Sequence, residues 1–166
     1  FDALAARGQW TQALAALEGW SAASSGDRQH ESRRATALLK LGRPAEALSA
    51  LERISNPGSE DAPQLIEAGK ALAEAGLWTE AERAFRQAIR AAPDEAGAHG
   101  DLGLLYLANG RPREAIPLLE RAVTLDPKDA PSRFNLALAR LGVGDVKGAA
   151  DGELVCCGGP MKLFPE

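Results

Sequence analysis

The sequence is poor in the residues that carry most enzyme chemistry. Its 166 residues include two histidines, two cysteines, one tyrosine and one methionine. No Gly-x-Ser-x-Gly, phosphate-binding glycine loop, dinucleotide glycine pattern or His-Glu-x-x-His stands anywhere in it. A nucleophile–base pair has no candidate, so no enzyme activity, metal or cofactor is expected. Cys156 and Cys157 are adjacent, a spacing that suits neither metal ligation nor a disulfide framework. They are expected to be two small apolar residues in a decaying last helix, not a redox or lipid-attachment site. Positive charge is also short: 19 Lys and Arg stand against 23 Asp and Glu, a net charge of −4. Nucleic acid and anionic lipid both demand a basic face, so neither is expected as the main partner. No apolar run approaches the roughly 18 residues that a membrane span needs. The first residue is Phe1 and not Met, so a processed product or fragment is expected, with any targeting signal outside it.

What is abundant is Ala, Leu and Gly, and they recur at a fixed interval. Glycines stand at Gly8, Gly42, Gly76, Gly110 and Gly144, and alanines at Ala13, Ala47, Ala81, Ala115 and Ala149, each set stepping by 34 residues. Large apolar residues follow four places later at Leu17, Leu51, Phe85 and Leu119, but Glu153 stands at the fifth. The period therefore holds through four units and decays in the last.

Each recurring residue has a physical task. The glycines suit the left-handed position that ends a helix. Pro44 and Pro112 follow two places on, in the first turn of the next helix, where a missing N–H costs little. Pro93 and Pro127 stop the second helix of a unit, and Asp61 and Asp129 are candidate N-caps before Pro63 and Pro131. Gly69, Gly103, Ala35 and Ala137 thin the first helix of each pair, and Ala47, Ala81 and Ala115 thin the second where the two cross. The spacing predicts paired helices over 28–41 and 44–55, 62–75 and 78–91, 96–109 and 112–125, and 130–142 and 145–155.

A helix–turn–helix unit of 34 residues resembles the tetratricopeptide repeat (TPR). The unit from Ala96 carries its pattern best: His99 in the aromatic place, then Leu102, Gly103, Tyr106, Ala115, Leu119, Ala122 and Pro127. The unit from Ala62 carries Leu65, Ala68, Gly69, Leu72, Ala81, Phe85, Ala88 and Pro93. The unit from Arg28 is looser, with Pro57 two places early, and the unit from Ala130 puts Arg140 where an aromatic is usual. The resemblance implies an all-α, right-handed superhelical solenoid of stacked antiparallel helix pairs. A partial repeat would fill 1–24, full repeats 28–61, 62–95 and 96–129, a degenerate repeat 130–156 and a tail 157–166. The Ala-, Leu-, Arg- and Gly-rich style resembles bacterial members, including pilus and secretion assembly factors, which would place a soluble chain in the cytoplasm or periplasm.

Employment of such arrays implies a non-enzymatic scaffold or adaptor. Its first helices, the A-helices, line a groove that takes a partner peptide or an amphipathic helix. The ligand positions of the family fall here on Ser32, Arg33, Thr36 and Lys40, then on Ile66, Glu67, Lys70 and Glu74, all polar apart from Ile66. They continue on Asp101, Leu104, Leu107 and Ala108, then on Phe134, Asn135, Leu138 and Leu141, a mostly apolar set. The chaperone-tail carboxylate clamp of some members is not reproduced. Ser32, Thr36 and Glu67 stand in its Lys and Asn places, Gly100 and Leu104 also depart from it, and only Asn135 matches. Two alternatives stay open: a homo-oligomer formed through uncapped solenoid ends, and a docking or regulatory domain of a larger protein. An internal cover for the apolar set, supplied by the segment "PMKLFPE", is the competing account of Leu104, Leu107, Phe134 and Leu138.

The remaining singular residues have plain expectations. His99 is expected to be packed and His30 solvated. Trp10 and Trp78, two repeats apart, are expected as fillers at the turn between helices. "SAASSGD" is expected to be a loop, and Trp20 to alter packing between the first units. Glu82 and Arg86 form an i,i+4 pair on a solvated face.

Overall fold

Fourfold repetition of one turn organises the chain. The computed structural model describes residues 1–18, 27–54, 57–143, 155–156 and 159–160. Helices occupy α1 (Asp2–Ala5), α2 (Trp10–Glu18), α3 (Arg28–Lys40), α4 (Pro44–Leu51), α5 (Ala62–Glu74), α6 (Trp78–Ala91), α7 (Ala96–Ala108), α8 (Pro112–Leu125) and α9 (Ala130–Gly142). Between consecutive helices of a pair the glycine takes the left-handed conformation, with φ of 71°, 70°, 76° and 68° at Gly8, Gly42, Gly76 and Gly110. At the end of α5 the Leu77 N–H donates to the Leu72 carbonyl (2.9 Å) and the Gly76 N–H to that of Ala73 (3.0 Å). The same two bonds close α7, from Arg111 to Tyr106 and from Gly110 to Leu107. This double closure satisfies the last carbonyls of the A-helix and demands a residue without a Cβ at the left-handed place.

The chain divides into two compact units, Phe1–Pro93 and Asp94–Glu166. In the first, α1–α2, α3–α4 and α5–α6 form successive helix hairpins. Helices α5 and α6 approach so closely that a Cβ built on Gly69 would lie 2.6 Å from the Phe85 ring. Phe85 is itself buried, so the ring has nowhere to retreat. In the second unit the same crossing recurs between α7 and α8, where a Cβ on Gly103 would lie 2.6 Å from Leu119. Ala47, Ala81 and Ala115 are completely buried at these crossings, as the 34-residue step requires.

Several sequence expectations are corrected. Helix α4 ends at Leu51, short of residue 55. Its last bonds are turn bonds from Glu52, Arg53 and Ile54, shortly before the early Pro57. Val155–Cys156 pairs antiparallel with Gly159–Pro160, so Val155 and Cys156 belong to a two-residue strand and not to the end of a last helix. Residues 144–154, with Gly144, Ala149 and Glu153, lie outside the described residues, as do Trp20, Cys157 and most of "SAASSGD". Neither Asp61 nor Asp129 caps its helix with its side chain. The Asp61 carboxylate instead reaches back and accepts the Gly58 N–H at 2.8 Å. A cap does form at Asp27, which accepts the His30 N–H at 3.3 Å.

His30 is buried, and its Nε2 meets the Leu17 carbonyl at 3.2 Å, tying α3 to α2. The burial was hidden because α2 contributes the partner from thirteen residues upstream. Beside it Glu31 is 1% exposed, in the place that Leu65 and His99 take in the next repeats. Arg53 Nη1 stands 3.8 Å from its Oε2 and His30 Nδ1 3.9 Å from its Oε1, and its Oε2 has no hydrogen-bond partner among the described residues. A carboxylate desolvated with such distant partners weakens this layer of the stack. Trp78 is 44% exposed beside exposed Leu77, so it is a surface residue and not a filler.

Candidate partner-binding faces

The ligand positions expected from the resemblance fall on two faces, one in each unit. In the first unit they lie on α3 and α5, which pack side by side. Here the polar side chains engage one another. Ser32 Oγ donates to Gln64 Oε1 at 2.8 Å, the Gln64 amide donates to Thr36 Oγ1 at 2.9 Å, and Thr36 donates to the Ser32 carbonyl at 3.0 Å. Lys40 donates to Glu67 at 3.3 Å, and Arg33 donates to Asp2 at 2.9 Å while its guanidinium stands 5.7 Å from the centre of the Phe1 ring. Lys70 and Glu74 are exposed on α5. The face is thus a closed hydrogen-bond chain edged by ion pairs.

In the second unit α7 and α9 pack side by side in the same way. Leu104 is 47% exposed, Phe134 45%, and Leu138 and Leu141 44% each. Leu107 and Asn135 are half-buried among them. Small residues make this face possible: Gly100 sits so close under α9 that a Cβ there would meet the Ser132 hydroxyl at 2.6 Å. The two A-helices therefore lie in tight contact, and their outward side chains form one apolar strip. No described residue covers it.

Charge elsewhere is arranged in local pairs. Arg111 donates to Glu114 at 2.7 and 2.5 Å and lies 4.2 Å from the centre of the Tyr106 ring. Arg43 makes the equivalent bonds to Glu46 at 2.6 and 2.7 Å, which hold the Glu46 carboxyl below its ordinary value and raise the Arg43 guanidinium. Glu52 hydrogen-bonds Arg83 and raises its guanidinium likewise. Glu82 and Arg86 pair at 2.7 Å, as their spacing predicts. An open cleft of about 410 Å³ lies where Gly142 and Val143 meet the α7–α8 turn at Arg111 and Pro112. Among the described residues no three His, Cys, Asp or Glu side chains converge, and no helix is long and apolar enough to cross a membrane.

Sequence models of the tetratricopeptide repeat match residues 66–130 and 101–153, and a second such model matches 29–53. The chain belongs to the tetratricopeptide repeat family. Its fold is the all-α TPR solenoid class, apart from the short strand pair. Solved TPR structures share that fold. A crystal structure of MamA superposes with a TM-score of 0.73 at 21% identity, over 90% of this chain and 88% of that one. MamA from Desulfovibrio magneticus RS-1 gives 0.67 at 23%, over 90% and 85%. YrrB, described as a TPR protein with an unusual peptide-binding site, gives 0.64 at 23%, over 82% and 70%. No curated protein matches the sequence.

Sequence reasoning brought Leu104, Phe134 and Leu138 together as one apolar set, and all three are exposed, but it did not see the hydrogen bonds of the polar set. The Ser32–Gln64–Thr36 chain and the Lys40–Glu67 pair join residues about one repeat apart. Only the packing of α3 on α5 brings them together.

Proposed function

We propose that the chain is a non-enzymatic protein-interaction scaffold whose anchor is the apolar A-helix face of the second unit. One observation carries this: Leu104, Phe134, Leu138 and Leu141 are nearly half exposed on adjoining helices with nothing described above them. A contiguous exposed apolar strip on a folded domain marks an interaction surface. The partner is a peptide segment with two or three large apolar side chains. Asn135, set between Phe134 and Leu138, offers an amide that can meet the segment's main chain. Solved relatives of this fold include one described as binding a peptide, which supports the same employment here. On the polar face of the first unit, Ser32, Gln64 and Thr36 already hydrogen-bond one another and the exposed Lys40–Glu67 pair is worth only about 0–1 kcal/mol, so that face offers little affinity of its own.

A displayed library of random twelve-residue peptides, selected on the full chain, tests the proposal. Selected peptides should be rich in Leu, Ile, Phe or Met and should fail to bind the Leu138→Glu chain. Selection of peptides that bind both chains equally would overturn it.

A further inference from the structure

The glycine turns repeat a second pattern, at the first and fourth places after each left-handed glycine. Those places hold Gln9 and Gln12, Arg43 and Glu46, Leu77 and Glu80, and Arg111 and Glu114. In two of the four turns they form a double hydrogen bond from a guanidinium to a carboxylate, Arg43 to Glu46 and Arg111 to Glu114. In the first turn both side chains are neutral. The turn between α5 and α6 breaks the match: it keeps the acid and puts Leu77 where the arginine belongs. Glu80 is the third residue of α6, as Glu46 is of α4 and Glu114 of α8. A carboxylate at that place can reach back to the residue before the helix, where Arg43 and Arg111 meet it. The nearest arginine in sequence, Arg83, donates to Glu52, whose charge acts on it more strongly than that of Glu80 does.

The same corner is unusually apolar. Leu77 and Trp78 are both exposed, and Trp78 stands where the neighbouring turns have Pro44 and Pro112. Arg111 shows what a guanidinium does in this setting: it bonds Glu114 while lying 4.2 Å from the centre of the Tyr106 ring. One repeat earlier the place of Tyr106 belongs to Leu72, which is buried, and Trp78 brings an aromatic ring to the turn from the other side. Glu74, exposed in the last turn of α5, adds negative charge to the approach.

We propose that Leu77, Trp78 and Glu80 form a binding site for an arginine side chain of a partner protein segment. Its guanidinium takes the position against Glu80 that Arg43 and Arg111 hold against Glu46 and Glu114. Its aliphatic stem lies on Leu77 and its planar head on the Trp78 indole. The site prefers arginine to lysine, because a planar fork can bond both carboxylate oxygens and stack on a ring at once, which a single ammonium cannot. It lies in the first unit and is separate from the apolar strip of the second.

The test titrates the full chain, uniformly labelled for proton–nitrogen spectroscopy, with the peptide N-acetyl-Ser-Ala-Leu-Arg-Ala-Ser-amide. The Trp78 indole peak is assigned by its loss in Trp78→Phe. It should shift and saturate with a Kd on the order of 1 mM, since an exposed ion pair and a cation–π contact are each modest. The lysine and citrulline counterparts of the peptide should bind about fivefold more weakly or worse. Glu80→Gln should weaken the arginine peptide by a similar factor. So should Leu77→Arg, which supplies the arginine from within the chain, in a turn that already folds with arginine at Arg43 and Arg111. The Trp10 peak, with Gln9 and Gln12 in its turn, should stay in place. No saturable shift up to about 10 mM, equal binding of the arginine and lysine peptides, an equal shift of the Trp10 peak, or undiminished binding to the Leu77→Arg chain would each overturn the proposal. The peptide selection on Leu138 reads a different face, so either result stands without the other.

Discussion

The A-helix face of the first unit and that of the second are built on the same frame and have opposite chemistry. Both use a glycine-closed turn, a small residue at the helix crossing and two A-helices packed side by side. On the first face Ser32, Gln64, Thr36, Lys40 and Glu67 satisfy one another. On the second, Leu104, Phe134, Leu138 and Leu141 have no such recourse, because apolar side chains gain only by removal from water. A polar face can close on itself within one chain. An apolar face stays unfinished until something covers it. The repeat thus supplies scaffolding that is indifferent to which kind of surface it carries.

Substitutions can break or sharpen this contrast. The largest effect is expected on binding. For a selected apolar peptide, Leu138→Glu should weaken affinity by about thirtyfold or more, the loss of roughly 2–3 kcal/mol from a buried apolar anchor. Titration by fluorescence anisotropy would show it, and an affinity within twofold of the parent would move the anchor elsewhere. Next, Ala81→Leu and Ala115→Leu should each destabilise their own unit by about 1–3 kcal/mol through overpacking at a crossing with no free volume. Urea melts monitored by circular dichroism would test whether the two frames are equivalent. A cost in one unit and none in the other would show that they are not.

A third change should stabilise. Glu31→Leu gives the first repeat the residue that Leu65 supplies in the second and removes a desolvated carboxylate with no close partner. The gain should be about 1–2 kcal/mol in the same melts, and a loss would mean that Arg53 and His30 depend on the charge. The smallest effect is expected at the edge of the polar face. Lys40→Ala should change stability by less than about 1 kcal/mol and leave peptide affinity within twofold at physiological salt.

The helices were legible because the period is a local signal: a glycine, a proline and an alanine at fixed offsets mark turn, start and crossing. For the helices between residues 28 and 142 the expected boundaries hold to within two residues except in α4, where Pro57 falls early, while the helix expected over 145–155 does not reach Val155, which lies in a strand. The apolar strip was legible too, since Leu104 and Leu138 occupy one place in consecutive repeats. What could not be read depended on partners distant in sequence. His30 is buried because α2 presents a carbonyl to it, and Glu31 because the surrounding helices close over it. Asp61 turns back to Gly58 because a short helical turn at Ser59–Asp61 places that N–H within reach. Trp78 is exposed although the same place one repeat earlier, and again one later, holds a proline that asks for no cover.

The glycine-closed turns have a consequence for how such a chain can lengthen. Each turn completes its own hydrogen bonds, so a whole unit can be duplicated or removed between two turns without leaving a broken helix end. The increment, however, is fixed. An insertion one residue longer or shorter within a helix would rotate everything after it by about 100° about the helix axis, carrying alanines away from the crossings and leucines into solvent. Length in this protein is therefore counted in whole repeats, while the chemistry of any one face remains free to drift beneath that count.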